Sequence, residues 1–354
     1  MSPRLSSDLI ADLVDAGSRE HYSDAALYDY EYRRRRADVG FYRELAKKRL
    51  GSSGRILELG AGSGRATIAL ARAGFEVVAV DASRAMLDKL RGRVAALPSS
   101  VAKRITVVEG DLRDFDIATA LAPSRSKRLA KRKASSEASA GGATTAKRKA
   151  SSAARADGVA GAGGAAGVAG VAGAAGAAGA AGAAQFPLVI ACFNVLEHLY
   201  TRVEVDACLR RVVAHLAPGG AFAFDVQMPD LAWLIRDPTK RWARTRFTDP
   251  TTGRAMLYST NHDYDPVAQI ALIRLYYEPA DGKGPTKIVK LSQRKFFPAE
   301  LEALVAHAGM RVVERYGDFA WRELDGTAEN QVLVCENAIS RRENAVSRRG
   351  FTPR

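Results

Sequence analysis

Three groups of residues in this chain have types and spacings suited to chemistry. The first is a bend, Gly60-Ala61-Gly62-Ser63-Gly64, that follows the apolar run Arg55–Leu59. Glycine has no Cβ, so such a bend lets the backbone come close to a ligand. The second is a pair of acids around it. Glu58 stands two residues before the bend, and Asp81 about twenty residues beyond it, at the end of a second apolar run. A carboxylate in the place of Asp81 is suited to accept both hydroxyls of a ribose. The third is His198, just past the apolar run Pro187–Phe193. Imidazole changes its charge close to neutral pH, which makes His198 the candidate general base.

What the bend lacks narrows the ligand. A dinucleotide site reads G-x-G-x-x-G/A, and its glycines let a pyrophosphate approach the backbone. Here the third small position is Arg65, which would crowd helix against strand. Glu58 would repel a polyanion and suits a ligand with a positive group. A ribose, an ammonium and no phosphate describe S-adenosylmethionine. Methyl transfer from its sulfonium is an in-line displacement, in which the protein supplies alignment and a dry pocket.

The elements that must position these residues read as follows. Helices are expected over Ser6–Val14 and Asp24–Lys48, before the first strand Arg55–Leu59. A helix Ser63–Ala73 ends at Gly74, and strand Phe75–Val80 leads to helix Ser83–Ala96 with Ser83 as N-cap. Strands Arg104–Val108, Pro187–Phe193 and Ala221–Val226 follow, the last two separated by helix Thr201–Leu216, which APGG closes. Continuous apolar strands alternating with amphipathic helices indicate a parallel sheet covered on both faces. The pattern then changes. Arg254–Tyr264, Gln269–Glu278 and Lys287–Phe297 predict a three-stranded antiparallel meander. Helix Pro298–Ala308 precedes the strands Arg311–Tyr316 and Gln331–Glu336, an antiparallel pair at the sheet edge.

One segment belongs to none of this. Residues 123–184 repeat KRKASS at Lys131 and Lys147 and then run into Ala and Gly. Such a sequence buries too little to offset its chain entropy and reads as a disordered insertion. Its ten Lys and Arg and two acids hold +8 of the chain's formal charge of +14. The rest of the 354 residues is only mildly basic. Salt-sensitive contact with nucleic acid or another polyanion is therefore an expectation for residues 125–155 alone. The insertion leaves after the third strand and returns at the start of the fourth, opposite the ligand-bearing strand ends. Cys192, Cys208 and Cys335 form no ligand-spaced pair, so no metal site is expected and the thiols read as buried and reduced. No stretch approaches the ~20 apolar residues that span a bilayer, so a soluble, cytoplasmic protein is the expectation.

In this order the motifs resemble those of the class I, Rossmann-like S-adenosylmethionine-dependent methyltransferases of small-molecule type. ELGAGSG is similar to the family's first motif, VAVDAS to its second-strand acid and VEGDLRDF to its third-strand loop. ACFNVLEHL and LAPGGAFAFDV resemble its fourth and fifth strand segments. The resemblance implies an α/β fold: a seven-stranded, mostly parallel, doubly wound sheet with an antiparallel edge pair. It further implies an N-terminal helical cap or lid over residues 1–50 and a β-meander cover over about 241–297. The catalytic domain would comprise 51–122 and 185–340, with 341–354 a flexible tail.

Residue roles follow from the resemblance. Gly60, Ala61, Gly62 and Gly64 would line the methionine part of the cofactor, with Glu58 orienting its ammonium. Asp81 would hold the ribose, and Ala82 and Met86 would flank the adenine. Asp111 would accept from the adenine amino group while Leu112 packs on the ring. Phe193 and Asn194 would border the sulfonium. Small-molecule N-methyltransferases with a similar FxxxxHL stretch place a His at the substrate, the position of His198. Tyr30 of YDYEY is the expected lid residue. The remaining pocket candidates are Tyr28, Tyr32, Asp225, Gln227, Trp233, Tyr264, Arg274 and Tyr276, with Arg294 for an acidic group on the acceptor. The acceptor expected is a small amine or hydroxyl. The alternatives are RNA or protein recruited by the basic insertion, or a non-catalytic nucleic-acid-binding module on the same fold. A base methylase is disfavoured, because Asn194 is followed by Val195 and Leu196 and not by an Asn-Pro-Pro-aromatic stretch, and Cys192 lies within its strand.

Overall fold

The computed structural model describes residues 7–117 and 185–338; the expected insertion and C-terminal tail lie outside them. Strands β1 (Arg55–Leu59), β2 (Glu76–Asp81), β3 (Ile105–Glu109), β4 (Phe186–Ala191) and β5 (Leu216–Gln227) pair in parallel. With β10 (Met310–Tyr316) and β11 (Asn330–Asn337) they form one sheet in the order β10-β11-β5-β4-β1-β2-β3. β11 lies between β10 and β5 and runs against both, so it is the reversed strand of the sheet. The order reverses direction between β1 and β4. In open α/β sheets the crevice at such a switch point, outside the carboxyl ends of the strands, takes the ligand.

Helices α4 (Arg65–Arg72), α5 (Arg84–Ala95) and α7 (Arg202–His215) cover the sheet, and the four-residue helix α6 (Ser99–Ala102) leads into β3. Thr201 caps α7 in a full capping box with Glu204. Near the N-terminus, α3 (Ala37–Leu50) buries Phe41, Tyr42, Leu45 and Ala46 against Ile56, Leu188 and Ile190. These spacings put four side chains on one helical face. Each large apolar side chain buried so fully contributes about 1.5–3 kcal/mol.

The N-terminal region differs from expectation at two points. Helix α1 runs over Ser7–Ser23, a turn and more beyond Val14. Gly17 makes this possible, because a Cβ there would lie 2.5 Å from the Ser292 nitrogen; α1 rests directly on strand β9 (Lys287–Arg294). The helix expected over 24–48 is broken into α2 (Ala25–Tyr32) and α3. The break falls on Arg33–Arg36, between the end of α2 at Tyr32 and the start of α3 at Ala37. Asp24 caps α2 by accepting the Leu27 N–H at 3.0 Å.

The cover is a second sheet of four strands, β6 (Trp242–Thr248), β7 (Ala255–Asp265), β8 (Ile270–Pro279) and β9 (Lys287–Arg294). The short helix α8 (Leu231–Leu234) leads into it, and α9 (Pro298–His307) leads away. The unexpected strand is β6. It is an edge strand, charged and largely exposed, and so carries no apolar run to betray it. β5 also begins earlier than expected: APGG lies inside the strand, opposite a register shift at Phe186/Leu188, and does not follow the helix as a loop. Among the described residues no helix is long and apolar enough to cross a membrane.

Candidate functional site

The bend after β1 is built on left-handed backbone. Gly60, Gly62 and Gly64 have φ of +66°, +56° and +85°. Side chains are strained there, and a Cβ on Gly64 would meet Leu90 Cδ1 at 2.2 Å. Gly64 thus fills the packing role that a third small residue serves elsewhere. Arg65, expected to crowd this contact, turns away. It donates to both carboxylate oxygens of Asp38, at 3.0 and 2.6 Å, and its guanidinium lies 4.7 Å above the Phe193 ring.

The two acids lie on either side of the bend. Asp81 accepts the Gly62 N–H and the Ser83 N–H, both at 2.7 Å, and so ties the bend to the end of β2. Burial raises its pKa against the pull of these N–H groups. Glu58 is 2 % exposed and accepts from the Thr67 hydroxyl at 2.6 Å. Burial pushes its carboxyl up to about 7. Met86 is buried, its ε-methyl 3.3 Å from where a Gly62 Cβ would stand. Ala82 is exposed and Leu112 half-buried. Asp111 is engaged by the Arg113 guanidinium, which lowers its pKa.

Strand β4 exits through a strained corner. Phe193 and Asn194 are consecutive non-glycine residues at φ of +71° and +60°. Such conformations cost about 1–3 kcal/mol each and need external support. Asp225 supplies it, accepting the Phe193 N–H at 2.8 Å, the Asn194 N–H at 3.0 Å and the Tyr42 hydroxyl at 2.6 Å. Its burial lifts the carboxyl to about 6. Asp225 therefore supports the corner from within the fold. The Asn194 Oδ1 is buried and has no protein partner.

Beyond the corner, a 3₁₀ turn (Val195–His198) brings His198 between two phenols. Its Nε2 lies 2.6 Å from the Tyr22 hydroxyl and its Nδ1 3.2 Å from the Tyr200 hydroxyl. The Tyr200 hydroxyl donates to the Ser292 carbonyl at 3.2 Å, which links this chain to β9. Burial depresses His198 to about 3, so the ring is neutral and a weak base. Burial likewise raises the Tyr22, Tyr28 and Tyr32 phenols. Tyr28 and Tyr32, one helical turn apart, share a face of α2; their rings are 4.7 Å apart, and Tyr32 packs edge-on to Phe193 at 4.9 Å. Tyr30, the expected lid residue, faces the other way. It packs on Phe247 of β6, with the Arg33 guanidinium 3.6 Å above it.

The remaining candidates scatter. Arg274 pairs with Asp263, and Trp233 stacks on His262 at 3.7 Å. Arg294 pairs with Glu300 at 2.5 Å, leaving its Nε and Nη1 buried without a partner. Tyr276 donates to Asn261, and Tyr264 packs beside the apolar core of the second sheet. Gln227 joins a buried group that sequence reading missed: Lys295 donates to Glu197 and to Gln227, each at 2.8 Å. Tyr22 and Asp29 were missed as well. Asp29 accepts from the Ser63 hydroxyl at 2.5 Å and pairs with Arg93, which latches α2 onto the bend. The acid at Asp29 and the cation at Arg93 lie far apart in the chain, with no local motif to join them. The three cysteines are free and buried, and burial raises the Cys192 thiol well above its usual value.

A sheet with its order reversed at the glycine bend, with an acid closing β2, defines the doubly wound class of nucleotide-binding α/β folds. The profile of the methyltransferase domain family matches residues 29–259, and the chain belongs to that family, as a class I S-adenosylmethionine-dependent methyltransferase. Among solved structures it is similar to the CcbJ methyltransferase of Streptomyces caelestis, at 23 % identity and a TM-score of 0.56, over 86 % of this chain and 95 % of that one. It is similar also to CalS10, an amino pentose methyltransferase of Micromonospora echinaspora, at 17 % identity and a TM-score of 0.53, over 88 % and 96 %. At these identities the likeness is one of fold. The cypemycin N-terminal methyltransferase of a Streptomyces species is 43 % identical over 70 residues, 18 % of this chain and 26 % of that protein. That match spans about a quarter of the relative's length.

Proposed function

We propose that the chain methylates the nitrogen of a small-molecule amine. The observation that carries this reading is the wall of neutral side chains formed by His198 and the phenols of α1 and α2. His198 is neutral and the phenols of Tyr22, Tyr28 and Tyr32 hold their protons. A buried wall without charge favours the free base of an amine over its ammonium ion, so the nucleophile loses its proton to solvent on the way in. A hydroxyl acceptor needs a base stronger than an imidazole of pKa about 3. The amino pentose and peptide N-terminal substrates in the names of similar proteins agree in kind with an amine.

The residues fit the cofactor. The three glycines of the bend carry no side chains of their own, Asp81 is partly exposed for a ribose, and the orphan Oδ1 of Asn194 is an acceptor for a ligand N–H. Glu58 beneath the bend favours an ammonium through the turn. Bound there, the cofactor supplies a methyl group on a cationic sulfur, already activated for displacement. The chain aligns the acceptor. His198 with Nδ1 protonated donates to Tyr200 and accepts from Tyr22, which leaves the lone pairs of the Tyr22 oxygen to receive the amine N–H. Phe193 and Tyr32 exclude water from the line of attack.

The test uses methyl-labelled S-adenosylmethionine with two probes, an amino sugar and a tripeptide with a free α-amine. Label in either supports the reading, and Tyr22→Phe lowers its rate about 10-fold with donor affinity unchanged. Label found only in folded protein, or only in RNA and lost on nuclease treatment, refutes it.

A further inference from the structure

We propose that Lys295 and Glu197 form a positioning pair that sets the distance between the donor edge of the sheet and the acceptor wall. The inference rests on the methyl-transfer reading above. Both side chains are almost completely buried, at 3 % and 0 % exposure. Every polar atom is used. Lys295 Nζ donates to Glu197 Oε2 and Gln227 Oε1 at 2.8 Å each and to Gln293 Oε1 at 3.0 Å. Glu197 Oε1 accepts the Gln227 N–H at 2.7 Å. The Trp233 ring lies 5.7 Å from the ammonium.

A buried ion pair is a poor device for stability, because desolvation of the two charges consumes most of what their attraction returns. What it does give is direction: each ammonium proton and each carboxylate oxygen has a partner, and the partners belong to three different elements. Glu197 is in the 3₁₀ turn, next to His198 and three residues past Asn194. Gln227 ends β5, two residues beyond the Asp225 that supports the strained corner. Gln293 is on β9, and Lys295 follows it directly. β9 in turn carries α1, through the contact at Gly17 and the Ser292 hydroxyl that donates to the Val14 carbonyl at 3.0 Å. Tyr22 rides on α1. The spacing of Tyr22 from His198 is therefore fixed at both ends by β9, and the ion pair is where β9 is joined to the turn.

The experiment compares Lys295→Met, Glu197→Gln and the double variant. Each single variant melts lower, Lys295→Met the more because it strands a buried carboxylate. The double variant has no stranded charge, and Gln at 197 can still accept the Gln227 N–H, so its melting temperature returns to near that of the parent. S-adenosylhomocysteine then binds within about two-fold of the parent by calorimetry. The rate of label transfer at saturating amine probe nonetheless stays down about 100-fold, the cost of a small misplacement of reacting groups. Restored stability with restored kcat would overturn the proposal. If the double variant does not fold, Gln293→Leu removes one acceptor without stranding a charge; a loss of kcat at constant KM is expected, and an unchanged kcat counts against the pair. A parent that labels neither probe would speak against the amine reading and leave this one open to a direct readout. The His198 nitrogen resonances then decide: a shift of Nε2 toward an unbonded imidazole in the double variant supports the pair, and an unmoved signal sinks it.

Discussion

The proposed donor side and the proposed acceptor side are built in opposite ways. The donor side is local. Its glycines, Glu58 and Asp81 fall within one strand–turn–helix–strand unit, and the hydrogen bonds from Gly62 and Ser83 to Asp81 span 19 and 2 residues. The acceptor side is assembled from distant pieces: Tyr22 meets His198 across 176 residues, and Tyr200 meets Ser292 across 92. A local site can be stiff before the chain has folded around it. An assembled one exists only when α1, the 3₁₀ turn and β9 are all in place. Changes on the donor side should therefore act on affinity, and changes on the acceptor side on turnover.

The hardest test of that division is Asp81→Ala. It removes the proposed ribose acceptor and strands the N–H groups of Gly62 and Ser83, so S-adenosylhomocysteine affinity should fall at least about 100-fold by calorimetry. Unchanged affinity would dissolve the division at once. Next is Tyr22→Phe, with the rate loss given above and no change in donor affinity; a matching loss of affinity would merge the two sides.

The two sides also titrate in opposite senses. Glu58 on the donor side has its pKa raised from 4.5 to about 7. Between those values the folded state holds a proton that the unfolded chain has lost, so this group's contribution to stability falls as pH rises. His198 has its pKa lowered from 6.5 to about 3, and His21 beside it to about 4. There the unfolded chain binds the proton first, so stability is lost as pH falls below 6.5. Relative to the parent, Glu58→Gln should gain stability as pH rises from 4.5 to 7, and His198→Asn should gain as it falls from 6.5. Denaturant titrations across that range check both slopes. Because a bound ammonium favours ionised Glu58, donor affinity should also rise with pH toward 7 in the parent and stay flat in Glu58→Gln. The smallest effect is expected from removing residues 123–184: donor affinity and turnover within about two-fold of the parent, as for a distant site.

The same division explains what could be read from the sequence. The sheet, its antiparallel edge pair and the proposed donor turn rest on runs of apolar residues and on motifs a few residues long. Asp225 was legible as a pocket candidate, though not its task under Phe193 and Asn194, because positive φ at two non-glycine residues leaves no mark in composition. Tyr30 was chosen over Tyr28 and Tyr32 from a dense aromatic stretch; the helical period puts the other two on the Phe193 side. Lys295 was not singled out, and no strand was expected at β6. Both depend on which face a residue meets after folding. Gly17, inside a helix, marked a close approach that only β9 reveals.

The two chain ends that border residues 118–184 have a consequence of their own. The Ile117 N–H donates to the His215 imidazole at 3.3 Å, the Arg211 Nε donates to the Phe115 carbonyl at 2.6 Å, and Phe186 pairs with Leu216 at the opening of β5. Both ends are thus fastened at the rim of the sheet remote from Asp81 and His198. A tag or reporter spliced between them would hang from two independently anchored posts, and the enzyme should accept cargo of almost any length there without noticing the graft.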